Sequence, residues 1–204
     1  MVEYIGSSKN VIIPNGVTFI GEKAFEEKQI TGVIIPKSVT SIGDHVFENN
    51  QLTNVIIPNS VTFIGHSAFS NNRLTEITIP DNVTLIDSNA FSNNQLTSII
   101  ITNSIIHIGS ETFMNNQLTS VIIPDGVTYI GQDAFMFNKI TNIVIGENVD
   151  VAYIMSLKDY ELYKEVYAEV EYKTITSFPF DFDLYYFENK SKSGTYVYKN
   201  GSWT

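Results

Sequence analysis

Residues 52–72 read LTNVIIPNSVTFIGHSAFSNN, and residues 74–94 read LTEITIPDNVTLIDSNAFSNN. The second stretch is the first again, displaced by 22 positions. Pro14, Pro36, Pro58, Pro80, Thr102, Pro124 and Gly146 hold that spacing without insertion or deletion. Set over one another, the repeats supply columns that can be judged by what each position tolerates. Three before the proline column stand Val11, Val33, Val55, Ile77, Ile99, Val121 and Ile143. One before it stand Ile13, Ile35, Ile57, Ile79, Ile101, Ile123 and Ile145, and six before it Ile30, Leu52, Leu74, Leu96, Leu118 and Ile140. β-Branched residues at period two describe a short strand with one buried face. Proline ends that strand, where its missing N–H does least harm.

A second apolar group follows. Val17, Val39, Val61, Val83, Ile105, Val127 and Val149 come three after the proline column, and Ile20, Ile42, Ile64, Ile86, Ile108 and Ile130 six after. Gly21, Gly43, Gly65, Gly109 and Gly131 come next, with Asp87 as the exception. A glycine column predicts a backbone turn that a side chain would strain. Phe25, Phe47, Phe69, Phe91, Phe113 and Phe135 follow, usually after alanine. Glycine, two polar residues and Ala-Phe fit one helical turn, ended by pairs such as Asn71-Asn72, because asparagine tolerates the left-handed conformation. The column Asn50, Asn72, Asn94, Asn116 and Asn138 is placed to satisfy buried backbone groups of a neighbouring coil.

A period of 20–29 residues marks a leucine-rich-repeat solenoid, in which only stacking buries the apolar face of each coil. The expected fold is therefore an α/β repeat: seven coils over residues 9–150, with parallel strands stacking to roughly 30 Å and a phenylalanine ladder inside. The consensus L-T-x-V-x-I-P-x-x-V-T-x-I-G-x-x-A-F-x-x-N resembles the BspA-type leucine-rich repeat of bacterial surface proteins across residues 9–150. The motif S-F-P-x-x-F…Y-Y…G-T-Y-x-Y-x-x-G-x-W, residues 177–203, resembles the closing segment of some members. The resemblance implies a right-handed solenoid with its parallel sheet on the concave face. It also implies secretion or surface display and binding of host or bacterial proteins; it does not imply an enzyme.

Residues 1–8 form a lead-in, residues 9–150 the solenoid and residues 151–204 a C-terminal capping segment. Within the last, SLKDYELYKEVYAEVE, residues 156–171, has helical spacing, with Leu157, Tyr160, Tyr163, Val166, Tyr167 and Val170 on one face. That face suits either a cap on the last coil or a partner-binding helix. A short helix is expected at residues 180–188, and Asn200-Gly201 between Tyr196-Val197-Tyr198 and Ser202-Trp203 predicts a hairpin. At the other end, Val2, Tyr4 and Ile5 offer coil one only a thin cover.

Composition narrows the partners. The chain has 204 residues, no cysteine and a formal net charge of −10. No disulfide or cysteine-based metal site can form, and the negative charge disfavours a nucleic-acid backbone as partner. No apolar run reaches the length of a membrane span. MVEYIGSS at residues 1–8 lacks the basic start and apolar core of a signal peptide. The expectation is a mature portion of a cell-surface, secreted or periplasmic protein, with a cytoplasmic protein as the alternative.

His45, His66 and His107 fall in three different columns, so no metal or triad site is expected from them. Calcium held by Asp81, Asp87 or Asp125 would need oxygens that converge from different coils. Glycosidase carboxylates such as Asp133 and Asp181 have no supporting spacing. No cofactor, catalytic residue or metal ligand is assigned. The exposed columns are the candidates for binding. Alternation puts Ile12, Ile34, Ile56, Thr78, Ile100, Ile122 and Val144 on the solvent side of the first strand, beside Asn54, Glu76 and Ser98. An exposed isoleucine stripe marks a binding surface for a protein or an apolar ligand, or reflects the preference of β-branched residues for a parallel ladder. A further column, five after the proline, varies freely; it either extends the apolar surface, adding Phe63 and Tyr129 to the candidates, or is partly buried at its edge. The expected function is non-enzymatic protein recognition on the concave face. The alternative is a structural spacer or self-assembly module, whose copies pair through the stripe or the thinly covered N-terminal end.

Overall fold

The computed structural model describes residues 4, 6–146, 194–199 and 202–203. Residues 6–146 wind into a parallel β-solenoid of six complete coils and the first strand of a seventh. The remainder of the seventh coil, the helix expected at 156–171 and the short helix expected at 180–188 lie outside the described residues.

Each coil has two extended faces. The first face carries β1 (Asn10–Ile12), β3 (Gly32–Ile34), β6 (Glu76–Thr78), β8 (Ser98–Ile100), β10 (Ser120–Ile123) and β12 (Asn142–Ile145). The second carries β2 (Phe19–Ile20), β4 (Ser41–Ile42), β5 (Phe63–Ile64), β7 (Leu85–Ile86), β9 (His107–Ile108) and β11 (Tyr129–Ile130). All of these pair in parallel with a register of one repeat, as in Val11↔Val33, Ile77↔Ile99 and Ile42↔Ile64. The repeat columns are thus spatial columns. The apolar members meet inside as one core, in which Phe47, Phe69, Phe91, Phe113 and Phe135 are essentially inaccessible to solvent.

The two faces differ in continuity. The second is one sheet of six strands, β2-β4-β5-β7-β9-β11. The first is broken into β1-β3, β6-β8 and a group containing β10-β12. The strand expected at residues 54–57 does not form, although Val55 and Ile57 keep 6% and 5% exposure and stay in the core. Proline at the end of this face removes one ladder donor in each of five coils, with Thr102 and Gly146 in the other two. Where Gly146 replaces it, the amide donates to the Ile123 carbonyl at 2.8 Å, and β10 and β12 pair over four residues instead of three. Coil three is held on this face by side-chain packing.

The expected helical turn is absent: no helix occurs among the described residues. The return of each coil is instead a run of turns with two left-handed residues four positions apart. The first column is Lys23, His45, Ser67, Asn89, Glu111 and Asp133, with φ from 51° to 59°. The second is Glu27, Asn49, Asn71, Asn93, Asn115 and Phe137, with φ from 54° to 57°. A helix would send its amides back along its own chain, and a helix this short is costly to nucleate. Left-handed residues point the amides sideways instead. The N–H groups of His45, Phe47 and Asn49 donate to the carbonyls of His66, Ala68 and Ser70 at 2.8, 2.8 and 3.1 Å. Asparagine does occupy the left-handed position predicted for it, here serving a cross-coil ladder. The glycine column has a related cause. A Cβ on Gly109 would lie 2.4 Å from the Ser88 amide nitrogen, and one on Gly131 2.4 Å from that of Ser110. These glycines answer close approach of adjacent coils, and neither has a positive φ.

Two side-chain ladders lock the return. Phe25, Phe47, Phe69, Phe91, Phe113 and Phe135 stack with centroids 5.3–5.7 Å apart. Asn94 accepts a hydrogen bond from the Leu74 amide at 3.0 Å and donates to the carbonyls of Phe69, Phe91 and Ser92 at 2.9, 3.1 and 3.1 Å. Asn50, Asn72, Asn116 and Asn138 repeat this pattern. Each asparagine joins its coil to the one before it.

The ends are treated differently. At the start, Tyr4 donates its amide to the Ala24 carbonyl at 3.0 Å and tilts its ring against Phe25 at 5.3 Å. One residue continues both the amide ladder and the aromatic stack. At the other end, β13 (Gly194–Lys199) pairs antiparallel with β12, and β14 (Ser202–Trp203) returns on β13 across a two-residue connection at 200–201. The edge of the first face is thereby occupied by backbone rather than left open.

Candidate functional site

The outward positions of the first face are set by strand alternation. Val11, Ile77 and Val121 point inward, so the residue after each points out. Ile12, Ile34, Ile56, Ile100 and Ile122 are 72%, 61%, 79%, 64% and 64% exposed. Thr78 is exposed and interrupts the column in coil four; Val144 is half-buried. The neighbouring outward residues Asn54, Glu76 and Ser98 are exposed as well. Ladder pairing aligns Ile12↔Ile34, Thr78↔Ile100 and Ile122↔Val144 within their own sheets, and the 22-residue repeat sets the pairs and Ile56 in one column. The sheet interruptions run through this file, yet the exposure of Ile56 shows that the missing ladder in coil three does not turn it inward.

Phe63 and Tyr129 do not join that file. They belong to β5 and β11 of the six-stranded sheet, where both are half-buried. Their column is Phe19, Ser41, Phe63, Leu85, His107 and Tyr129, with Phe19 56% exposed. His107 and Tyr129 stack with centroids 4.1 Å apart at 24°. Partial burial holds the His107 imidazole below its ordinary pKa, and the Asp87 carboxylate acts in the opposite sense.

The histidines require a correction. Columns separate them in sequence, but the return turn brings two of the three together. His45 and His66 meet edge to face with centroids 5.0 Å apart. They stand nine and eight positions after their prolines, so the 21-residue offset of the cross-coil ladder makes them neighbours. His45 Nδ1 also lies 2.6 Å from Glu48 Oε2. Glu26, one coil below Glu48 in the same column, comes within reach of both, and Lys23 pairs with Glu26 at 3.5 Å. The sequence signal was present: two carboxylates stacked in a column that holds serine in coils three and four. His107 stays apart, in the second face.

One buried polar group is strained electrostatically. Asp133 Oδ1 has no hydrogen-bond partner among the described residues. Burial and then the Glu111 carboxylate raise the pKa of Asp133, while the Gln132 side chain opposes the shift. Asp81 and Asp125 are exposed and Asp87 is half-buried, in different coils. Asp181 lies outside the described residues.

A parallel solenoid of 22-residue coils, with an inner phenylalanine stack and an asparagine ladder, defines a class of leucine-rich-repeat scaffold. The chain belongs to the BspA type Leucine rich repeat region family, whose profile matches residues 3–97 and 85–183 in six copies. A leucine-rich cell surface protein of Faecalibacterium prausnitzii is 25% identical with a TM-score of 0.53; the match covers 71% of this chain and 49% of that one. The pneumococcal vaccine antigen PcpA shares the fold at 21% identity and a TM-score of 0.60, with 74% of this chain and 45% of that one covered. The chain therefore spans about half the length of these relatives. No match was found among curated proteins. Members of this family are bacterial surface-associated repeat proteins, and the fold typically serves as a non-enzymatic scaffold for protein interactions. No helix among the described residues is long and apolar enough to cross a membrane.

Proposed function

We propose that this chain is a protein-binding module of a bacterial surface protein, and that its first face receives an apolar segment of a protein partner. The supporting observation is the file of five isoleucines, each more than 60% exposed, on the outward column of the 22-residue repeat, interrupted by Thr78. Five large aliphatic side chains in one file exceed the scattered exposure expected of an ordinary soluble surface. Asn54, Glu76 and Ser98 form a polar margin that supplies register and hydrogen bonds, while Ile34, Ile56, Ile100 and Ile122 supply the buried contact. Phe63 and Tyr129 lie in the other sheet and are outside this contact. Display at the cell surface and a concave first face belong to the same reading, carried by the kinship with surface proteins.

The test pairs two measurements on wild type and Ile56→Ser/Ile100→Ser. Sedimentation at micromolar concentration reports self-association, and quantitative mass spectrometry reports which bacterial or host surface proteins the immobilised chain retains. A monomer that retains a defined protein, and loses it in the double variant, is expected. A wild type that self-associates through the stripe and retains nothing would make the chain an assembly module.

A further inference from the structure

We propose that Glu26, His45 and Glu48 form a binding site for a transition-metal dication of the zinc type on the return side of coils one and two. Each offers one ligand atom, and the three atoms lie within 4.8 Å of one another. All three residues are half-buried, so the carboxylates are not freely solvated. Glu26 and Glu48 occupy one column in successive coils, and like charges placed opposite each other on adjacent strands repel. In the next two coils the same column holds Ser70 and Ser92, which hydrogen-bond to each other at 3.0 Å. A cation between its members would relieve that repulsion, and each carboxylate already has one side-chain partner. Lys23 reaches Glu26 at 3.5 Å from a largely exposed position, and His45 meets Glu48 at 2.6 Å.

A dication would serve both carboxylates at once. One imidazole nitrogen with two carboxylate oxygens is a ligand set that zinc accepts, with bonds of about 2.0–2.2 Å and a further position for water. Ligand atoms on one tetrahedral zinc stand roughly 3.4 Å apart, so the 2.6 Å contact between His45 Nδ1 and Glu48 must open to admit the ion. Rotation of the two long glutamate side chains can make that adjustment without moving the left-handed backbone at His45. Binding displaces the Lys23 ammonium from Glu26 and replaces the contact between His45 Nδ1 and Glu48. The His66 ring, edge-on to His45 at 5.0 Å, walls one side. The site lies on the return of the coils, separate from the isoleucine file of the first face.

The experiment is isothermal titration of ZnCl2 into the full chain in a non-coordinating buffer. One equivalent should bind with a dissociation constant on the order of micromolar. His45→Ala and Glu48→Gln should each weaken binding by about tenfold or more, and His107→Ala should leave it unchanged. Far-UV circular dichroism of each variant, matching wild type, separates ligand loss from misfolding; Glu48→Gln preserves shape and hydrogen bonding. Absence of binding would overturn the proposal and leave two ordinary ion pairs. So would zinc affinity indifferent to His45→Ala, or CaCl2 binding as tightly as ZnCl2, because calcium takes oxygen ligands and has no use for the imidazole.

Discussion

The first face and the return side of the same coils are built on opposite plans. On the return, every ladder is complete: amides cross from coil to coil, six phenylalanines stack, and five asparagines tie each turn to the one before. On the first face the backbone ladder opens at coil three and again between β8 and β10, and its outward column presents five isoleucines to solvent. The difference teaches where the constraint lies. A face that does not have to hold the stack together can carry side chains chosen for another purpose.

Substitutions at the two sites sharpen the contrast. Phe69→Ala removes a ring with 0% exposure that stacks on Phe47 and Phe91, both at 5.3 Å. It should cost about 3–5 kcal/mol, the range for emptying a buried aromatic site, measured by denaturant unfolding. A cost below about 1 kcal/mol would mean that neighbouring coils collapse into the gap and that the stack is not the main constraint.

Asn94→Ala comes next. It strands the Leu74 amide and deprives three carbonyls of a donor in a buried setting. The expected loss is about 3 kcal/mol, and hydrogen exchange at Leu74 should accelerate locally. Protection at Leu74 equal to wild type would show that another group takes over the amide.

A smaller and pH-dependent effect belongs to Asp133. Its folded pKa is raised by burial and by Glu111 above the ordinary value of 3.8. The charged form is thus penalised in the fold, and the stability that Asp133 permits is complete at low pH and lost as pH rises through the raised pKa. Asp133→Asn should therefore raise the thermal midpoint at pH 7. The advantage should shrink on acidification and vanish below about 3.8, where both states bind the proton. An advantage independent of pH would assign it to the left-handed backbone at this position, which asparagine tolerates better than most residues.

These contrasts also mark what could be read from the chain. The apolar columns, the phenylalanine stack and the role of the asparagines were legible, because each coil repeats the others and a required residue shows itself as a column. The helical turn was misread because glycine, two polar residues and Ala-Phe satisfy helical spacing and a left-handed cross-coil turn equally well. Residues such as Lys23, Glu111 and Phe137 at positive φ give no sequence signal. The gap at coil three was invisible, since Asn54–Ile57 follows the consensus as closely as any repeat and differs only in its backbone bonds. Of the candidate surface, the isoleucine file was legible from alternation. Phe63 and Tyr129 were joined to it because their column varies where its neighbours do not; the second strand of the coil puts them, half-buried, on a different sheet. The meeting of His45, His66, Glu26 and Glu48 was missed for a geometric reason. The strands align residues 22 apart, whereas the return ladder joins residues 21 apart.

The smallest expected change in stability belongs to the outward isoleucines. Ile56→Ser/Ile100→Ser alters only exposed side chains, and surface changes of this kind usually stay within about 0.5 kcal/mol each. The decisive measurement is the thermal midpoint of this double variant beside its retention of a protein partner, with Asn94→Ala as the reference for structural damage. The division of labour between the faces predicts a midpoint within about 2–4 °C of wild type, with retention reduced by at least about tenfold. A midpoint as low as that of Asn94→Ala, with retention unchanged, would contradict it and make the isoleucine file part of what holds the coils together.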